Sequence, residues 1–128
     1  MKHDPLADAF AVLKNAESIG RKECVVPATK VVKGMLKVIR EKGYIAGFDF
    51  VEDGKGGFFK VKLAGRINNC NVIRPRFSVT TGEMIKWEKK FLPGENIGLL
   101  LMTTPKGITD QKDALKLNTG GKLLGFIF

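Results

Sequence analysis

The sequence predicts an α+β fold built as two small subdomains, and three observations predict it. Apolar residues recur at helical spacing in two stretches of the first half, at Leu6, Ala9, Phe10, Leu13 and Ala16 and again at Val32, Met35, Leu36 and Ile39. Short β-rich runs fill most of the second half. Between them, around Ala64-Gly65, the pattern changes, which sets the expected boundary between residues 1–64 and 65–128. The result is a helix-strand-helix-hairpin subdomain followed by a mostly antiparallel sheet with one short helix.

Each element has its own signal. Asp4-Pro5 opens the first helix, because Asp caps while Pro occupies the first helical position without losing a needed N–H. That helix ends near Gly20. Glu23 to Val26 reads as a short strand closed by Pro27. Thr29 caps a second helix running to Lys42, and Gly43 is a left-handed stop. Lys30, Lys33, Lys37 and Arg40 lie mostly off its apolar stripe, as either a solvated face or an RNA-contacting one. Tyr44 to Val51 and Phe58 to Leu63 form a hairpin across Glu52-Asp53-Gly54-Lys55-Gly56-Gly57. Beyond the boundary, strands are expected over Val72 to Val79, Met84 to Trp87, Ile97 to Thr103 and Leu123 to Phe128, with a turn at Pro93-Gly94. A helix of about Asp110 to Leu117 follows the Thr103-Thr104-Pro105-Lys106-Gly107 loop. The apolar end from Leu123 reads as a core strand, the alternative being a face turned toward a protein partner.

At 128 residues and 44% hydrophobic, the chain is long and apolar enough to bury a core. Its 22 basic residues outnumber 13 acidic ones, giving +9 and a pI near 9.7. Such an excess attracts polyanions at long range and says nothing about fold. The longest apolar run, Ile97 to Met102, is far short of the roughly 20 residues needed to span a bilayer. No apolar signal region follows Met1, so the protein is expected in the cytoplasm without a membrane partner. Cys24 and Cys70 stand alone in apolar or β-like stretches and are expected as buried thiols. With His3 they are too few and too scattered for a four-ligand zinc site, so no metal or other cofactor is expected.

Catalytic equipment is not recognisable. The one His, three residues in, is a poor base, and Ser18 and Ser78 stand in no nucleophile-elbow context. Glu52-Asp53 and the Asp110/Asp113 pair are interleaved with Lys and read as turn and helix-surface charges. The glycines of residues 54–57 and Gly120-Gly121-Lys122 both miss the phosphate-loop spacing. No enzyme and no small-molecule substrate are expected.

The charge is spread through the chain. Residues 1–64 carry 12 basic and 8 acidic groups, and residues 65–128 carry 10 and 5. Phosphate neutralisation by Lys and Arg supplies affinity without sequence information, so discrimination must come from short polar groups that reach base edges or 2′-hydroxyls. The 103–107 loop suits that work. Thr103 and Thr104 follow a buried strand, Lys106 adds a cation and Gly107 lets a backbone approach. The helix after it offers N–H groups that favour an anion. Hydroxyl-rich turns before helices are also common caps, and that reading stays open here.

Over almost its whole length the chain resembles the small-subunit ribosomal protein eight family, closest to its archaeal and eukaryotic branch. The resemblance is carried by Asp4-Pro5-Leu6-Ala7-Asp8-Ala9 with Asn15-Ala16, then by Gly43-Tyr44-Ile45 and Gly65-Arg66-Ile67-Asn68 through Cys70. Arg74-Pro75-Arg76-Phe77, Leu92-Pro93, Thr103-Thr104 and Thr119-Gly120-Gly121-Lys122-Leu123-Leu124-Gly125-Phe126 follow in order. The resemblance implies a two-subdomain α+β protein of the small ribosomal subunit. It would bind a helical segment in the central domain of small-subunit ribosomal RNA, support assembly and neighbour other small-subunit proteins. The RNA contacts it implies are Thr103, Thr104, Lys106 and Gly107, with Gly121 and Lys122, and with Asp4, Asn15, Thr29 and Lys30. Two departures stand out. Pro105 replaces the family's usual third Ser or Thr, and Lys122 stands where bacterial members tend to carry an acidic residue. The alternative function is a free RNA-binding regulator that acts on its own message.

Overall fold

A computed structural model describes residues 5–73, 76–94 and 97–128. They fall into two compact units, Met1–Cys70 and Asn71–Phe128. The α+β class is as expected. Asp4, the expected cap of the first helix, lies outside the described residues.

In the first unit, helix α1 (Pro5–Ser18) buries Leu6, Ala9, Phe10, Leu13 and Ala16, the predicted apolar stripe. Helix α2 (Lys30–Glu41) buries Val32, Met35, Leu36, Val38 and Ile39. Thr29 is its N-cap, the hydroxyl oxygen accepting from the Val32 N–H at 3.2 Å. Gly43, at φ +84, closes it in the left-handed region where a side chain is disfavoured. Three antiparallel strands, β1 (Glu23–Pro27), β2 (Ile45–Val51) and β3 (Phe58–Leu63), form a sheet in the order β1-β3-β2. Directly paired residues share a face, so Cys24, Val61 and Phe48 form one row and Val26, Phe59 and Phe50 the next. Those rows make the core side of the sheet.

The second unit holds β4 (Cys70–Val72), β5 (Ser78–Val79), a 3₁₀ turn (Thr81–Glu83), α3 (Met84–Phe91), β6 (Leu99–Thr104), β7 (Gly107–Asp110), α4 (Gln111–Lys116) and β8 (Gly121–Ile127). The sheet runs β4-β8-β6-β7, with β5 also paired to β8. Ile73, Val79, Met84, Leu92, Leu100, Met102, Ala114 and Leu123 make its core.

Three expectations change here. Residues 84–87, expected as a strand, open α3. The Glu83 carboxylate accepts from the Thr80 N–H and hydroxyl, which holds it below the usual carboxylate range and starts the helix. Met84, Trp87 and Phe91 then turn one face inward at spacings of three and four, so the described residues of the second unit hold two α-helices and not one. The single strand expected over 72–79 is two short strands. Finally, a strand β7 forms over Gly107–Asp110, where the end of the loop and the head of the helix were expected, because β6 offers an open edge to which it pairs.

Both cysteines are free and buried. Burial pushes the Cys24 thiol up to about 11, with the Glu17 carboxylate adding and Arg21 opposing. Burial likewise pushes Cys70 to about 12, against a lowering by Lys14 and with a further raising by Glu17. A raised thiol value favours the protonated native state, so this contribution to stability is lost as pH climbs above the unfolded value of about 8.5. At pH 8 the native protein should therefore react with a thiol-specific disulfide reagent at least about tenfold more slowly than the denatured chain. Equal rates in the two states would contradict the burial.

Candidate nucleic-acid interface

The candidate interface lies at one end of the second unit's sheet, across β5, β8, β6 and β7. β6 pairs β8 with Thr103 opposite Lys122, and β5 pairs β8 with Ser78 opposite Lys122. On the other side, Thr103 faces Ile108 of β7. Cross-strand pairing therefore sets Ser78, Lys122, Thr103 and Ile108 in one row across the sheet. Ser78 and Lys122 are exposed and Thr103 is half-buried. The Thr103 hydroxyl makes no hydrogen bond among the described residues, and Lys122 makes no ion pair among them.

Thr104 is different. It is only 9% exposed, its hydroxyl donates to the Gly107 carbonyl at 2.8 Å, and its oxygen accepts from the Lys106 N–H at 3.1 Å. That side chain holds the turn shut. Pro105 and Lys106 form its two-residue tip, where the fixed φ of Pro suits the turn and a hydroxyl is not needed to close it. Gly107 completes the turn at φ +114, a conformation side chains rarely adopt. The exposed Lys106 ammonium donates to the Leu117 carbonyl at 3.4 Å.

Gly120 and Gly121 are there for want of room. A Cβ on Gly121 would overlap the Thr103 carbonyl, and one on Gly120 would come to 2.5 Å from the Val79 carbonyl. The chain reaches them from α4 through Asn118, at φ 51, whose N–H donates to Leu115 while that of Thr119 donates to Ala114. The start of α4, expected to hold an anion, is already filled: the Asp110 carboxylate accepts from the Asp113 N–H at 2.9 Å, and β7 separates the helix from the loop.

In the first unit, Thr29 and Lys30 line a groove with Ala28, Lys33, Phe48, Asp49, Phe50 and Phe59. Lys30 and Lys33 are exposed and make no ion pair among the described residues. Asn15 lines a different hollow, between α1 and β1, with its carbonyl accepting from the Ser18 hydroxyl at 2.8 Å. Six of the expected residues thus gather at one sheet end, two in the groove, one elsewhere on the unit, and Asp4 is outside the described residues. Ser78, which its sequence context does not single out, joins the row beside Lys122 through strand register.

At one sheet end this small α+β protein gathers a cation without an ion pair and a hydroxyl without a hydrogen bond among the described residues, beside a backbone free of side chains, an arrangement a polyanion could meet. Comparison with known proteins gives the chain a family. The profile described as "Ribosomal protein S8" matches residues 4–128. The chain is 51% identical over 126 residues to the small ribosomal subunit protein uS8 of Methanococcoides burtonii, covering 98% of this chain and 97% of that one. It is 45% identical over 129 residues to the uS8 of Archaeoglobus fulgidus, covering both chains fully. The chain belongs to the ribosomal protein S8 family, a family of RNA-binding ribosomal proteins, on its archaeal branch.

The close approach at Gly121 can be tested by itself. Gly121→Ala should cost about 1–3 kcal/mol of stability by driving β8 away from β6, read as a lowered midpoint in denaturant. An unchanged midpoint would show that the strands tolerate a side chain there.

Proposed function

We propose that this chain is a non-catalytic component of the small ribosomal subunit in the cytoplasm, binding the central domain of small-subunit ribosomal RNA and supporting assembly beside neighbouring subunit proteins. The observation that carries the reading is the pairing of Thr103 and Lys122 across β6 and β8, over a backbone that Gly121 leaves bare. The relatives named above are themselves called small ribosomal subunit proteins, which supports the setting.

Each group has a distinct task in this reading. The free Thr103 hydroxyl both donates and accepts, so it can address a base edge or a 2′-hydroxyl. Lys122 neutralises a phosphate beside it, and Lys106 supplies a second cation at the turn tip. Thr104 acts indirectly, by fixing the turn that presents Lys106. Gly107 and Gly121 admit the RNA backbone. Ser78 adds a hydroxyl on the far side of Lys122. Asn15, Thr29 and Lys30 extend the contact onto the first unit, and Asp4 is proposed with them from the resemblance alone.

The two kinds of contact separate experimentally. Lys122→Ala should weaken binding to a central-domain RNA fragment and reduce the slope of log affinity against log salt by about 0.7–0.9, one phosphate contact. Thr103→Val, measured at fixed salt, should leave that slope alone and reduce the preference for the fragment over unrelated duplex RNA by about fivefold or more, a lost hydrogen bond of about 1 kcal/mol. If both variants match the parent in affinity, slope and preference, this end of the sheet is not the RNA site.

A further inference from the structure

The groove at the start of α2 has features that phosphate contact alone does not require. Strand alternation places Phe50 on the core side of the first sheet, opposite Phe59, yet the residue is 53% exposed. A single exposed apolar side chain is ordinary by itself; Phe50 differs in standing on the core face and in lining a groove beside cations.

The ring is also held in place. Asp53 accepts from the Lys55 N–H at 2.8 Å and the Gly57 N–H at 2.9 Å, and these bonds, in that order, hold its carboxyl below the usual range. They fold the 52–57 loop so that Gly57, at φ +83, lies against the far end of the Phe50 ring, where a Cβ would overlap it. On its other flank Phe50 meets Phe59 at 5.9 Å and 68°, and Phe59 meets Phe48 at 5.5 Å and 86°. The Arg40 guanidinium lies 5.0 Å from the Phe48 centroid. The glycine-rich loop, read from sequence as a plain turn, is a brace for an exposed aromatic ring.

The opposite wall is cationic. Lys30 and Lys33 stand one turn apart on α2, and the Thr29 hydroxyl, whose oxygen already caps the helix, keeps its proton to donate. Asp49 also lines the groove and offsets part of this charge, leaving two cations against one carboxylate. A braced ring sharing a groove with two lysines has the chemistry of single-strand recognition, in which a base stacks and its flanking phosphates are neutralised.

We propose that this groove holds one unstacked base of the RNA, with Phe50 as its stacking platform and Lys30 and Lys33 on the adjoining phosphates. It rests on the RNA-binding reading above and adds a second, single-stranded contact to it. An acidic protein segment is the competing occupant, and the test distinguishes the two.

Affinity of the full chain for small-subunit ribosomal RNA is measured at several salt concentrations for Phe50→Leu, Phe50→Trp, Lys33→Ala and, as a reference for the sheet-end site, Lys122→Ala. Phe50→Leu should weaken binding about tenfold, the loss of one base–aromatic stack, with no change in salt slope. Phe50→Trp should retain parental affinity, and Lys33→Ala should flatten the slope by about one contact. Thermal melting of each variant separates lost stacking from lost folding. Ultraviolet irradiation of assembled small subunits should in addition leave a nucleotide adduct on the peptide containing Phe50. Parental affinity in a folded Phe50→Leu variant overturns the proposal. So does a protein adduct on that peptide in place of a nucleotide. If Lys122→Ala weakens binding while Phe50→Leu does not, the groove fails alone; if neither does, the RNA-binding reading fails with it.

Discussion

The second unit depends on how closely β8 runs past β6. Gly121 lies against the Thr103 carbonyl and Gly120 against that of Val79, so the backbone enters the sheet where no side chain fits. From that entry β8 pairs with β4, β5 and β6 and sends Leu123 into the core. The same constraint fixes the register that sets Lys122 between Ser78 and Thr103. Core packing and the candidate RNA surface thus share one piece of geometry.

The charge on the molecule is not a uniform coat. Some cations are already engaged: Lys60 pairs with Glu23 at 3.4 Å, and Lys90 lies 5.1 Å from the Trp87 centroid with Phe77 and Phe91 close by. Others are set beside a group of different chemistry, Lys122 beside a hydroxyl and Lys30 and Lys33 in a groove with an aromatic ring. An exposed ion pair or cation–π contact contributes little to stability. The informative cations are those placed next to something that can discriminate.

Much of this was legible in the sequence where one periodicity dominated. The stripes of α1 and α2, the Thr29 cap and the β3 limits follow from residue spacing alone. Reading failed where two signals competed. Met84-Ile85-Lys86-Trp87 has the apolar and aromatic content of a strand, and only the Thr80/Glu83 pair upstream and Phe91 downstream reveal the helix. β7 has too few apolar residues to announce itself and exists because β6 leaves an edge unpaired. Within the site, adjacent threonines look equivalent in sequence. The turn consumes one hydroxyl and spares the other, which only the fold decides. The stacking ring was hidden for a similar reason: Phe50 reads as an ordinary strand residue until register and exposure are known together.

We propose that the β5–β8–β6 sheet end lies against the central domain of small-subunit ribosomal RNA. The native thiols are buried with raised values, so a cysteine introduced at the exposed Ser78 can be labelled selectively. An iron chelate tethered to Ser78→Cys in assembled small subunits should cleave central-domain nucleotides by locally generated hydroxyl radicals. Cleavage confined to other domains, or no RNA cleavage from a fully labelled and incorporated protein, would place this sheet end away from the central domain.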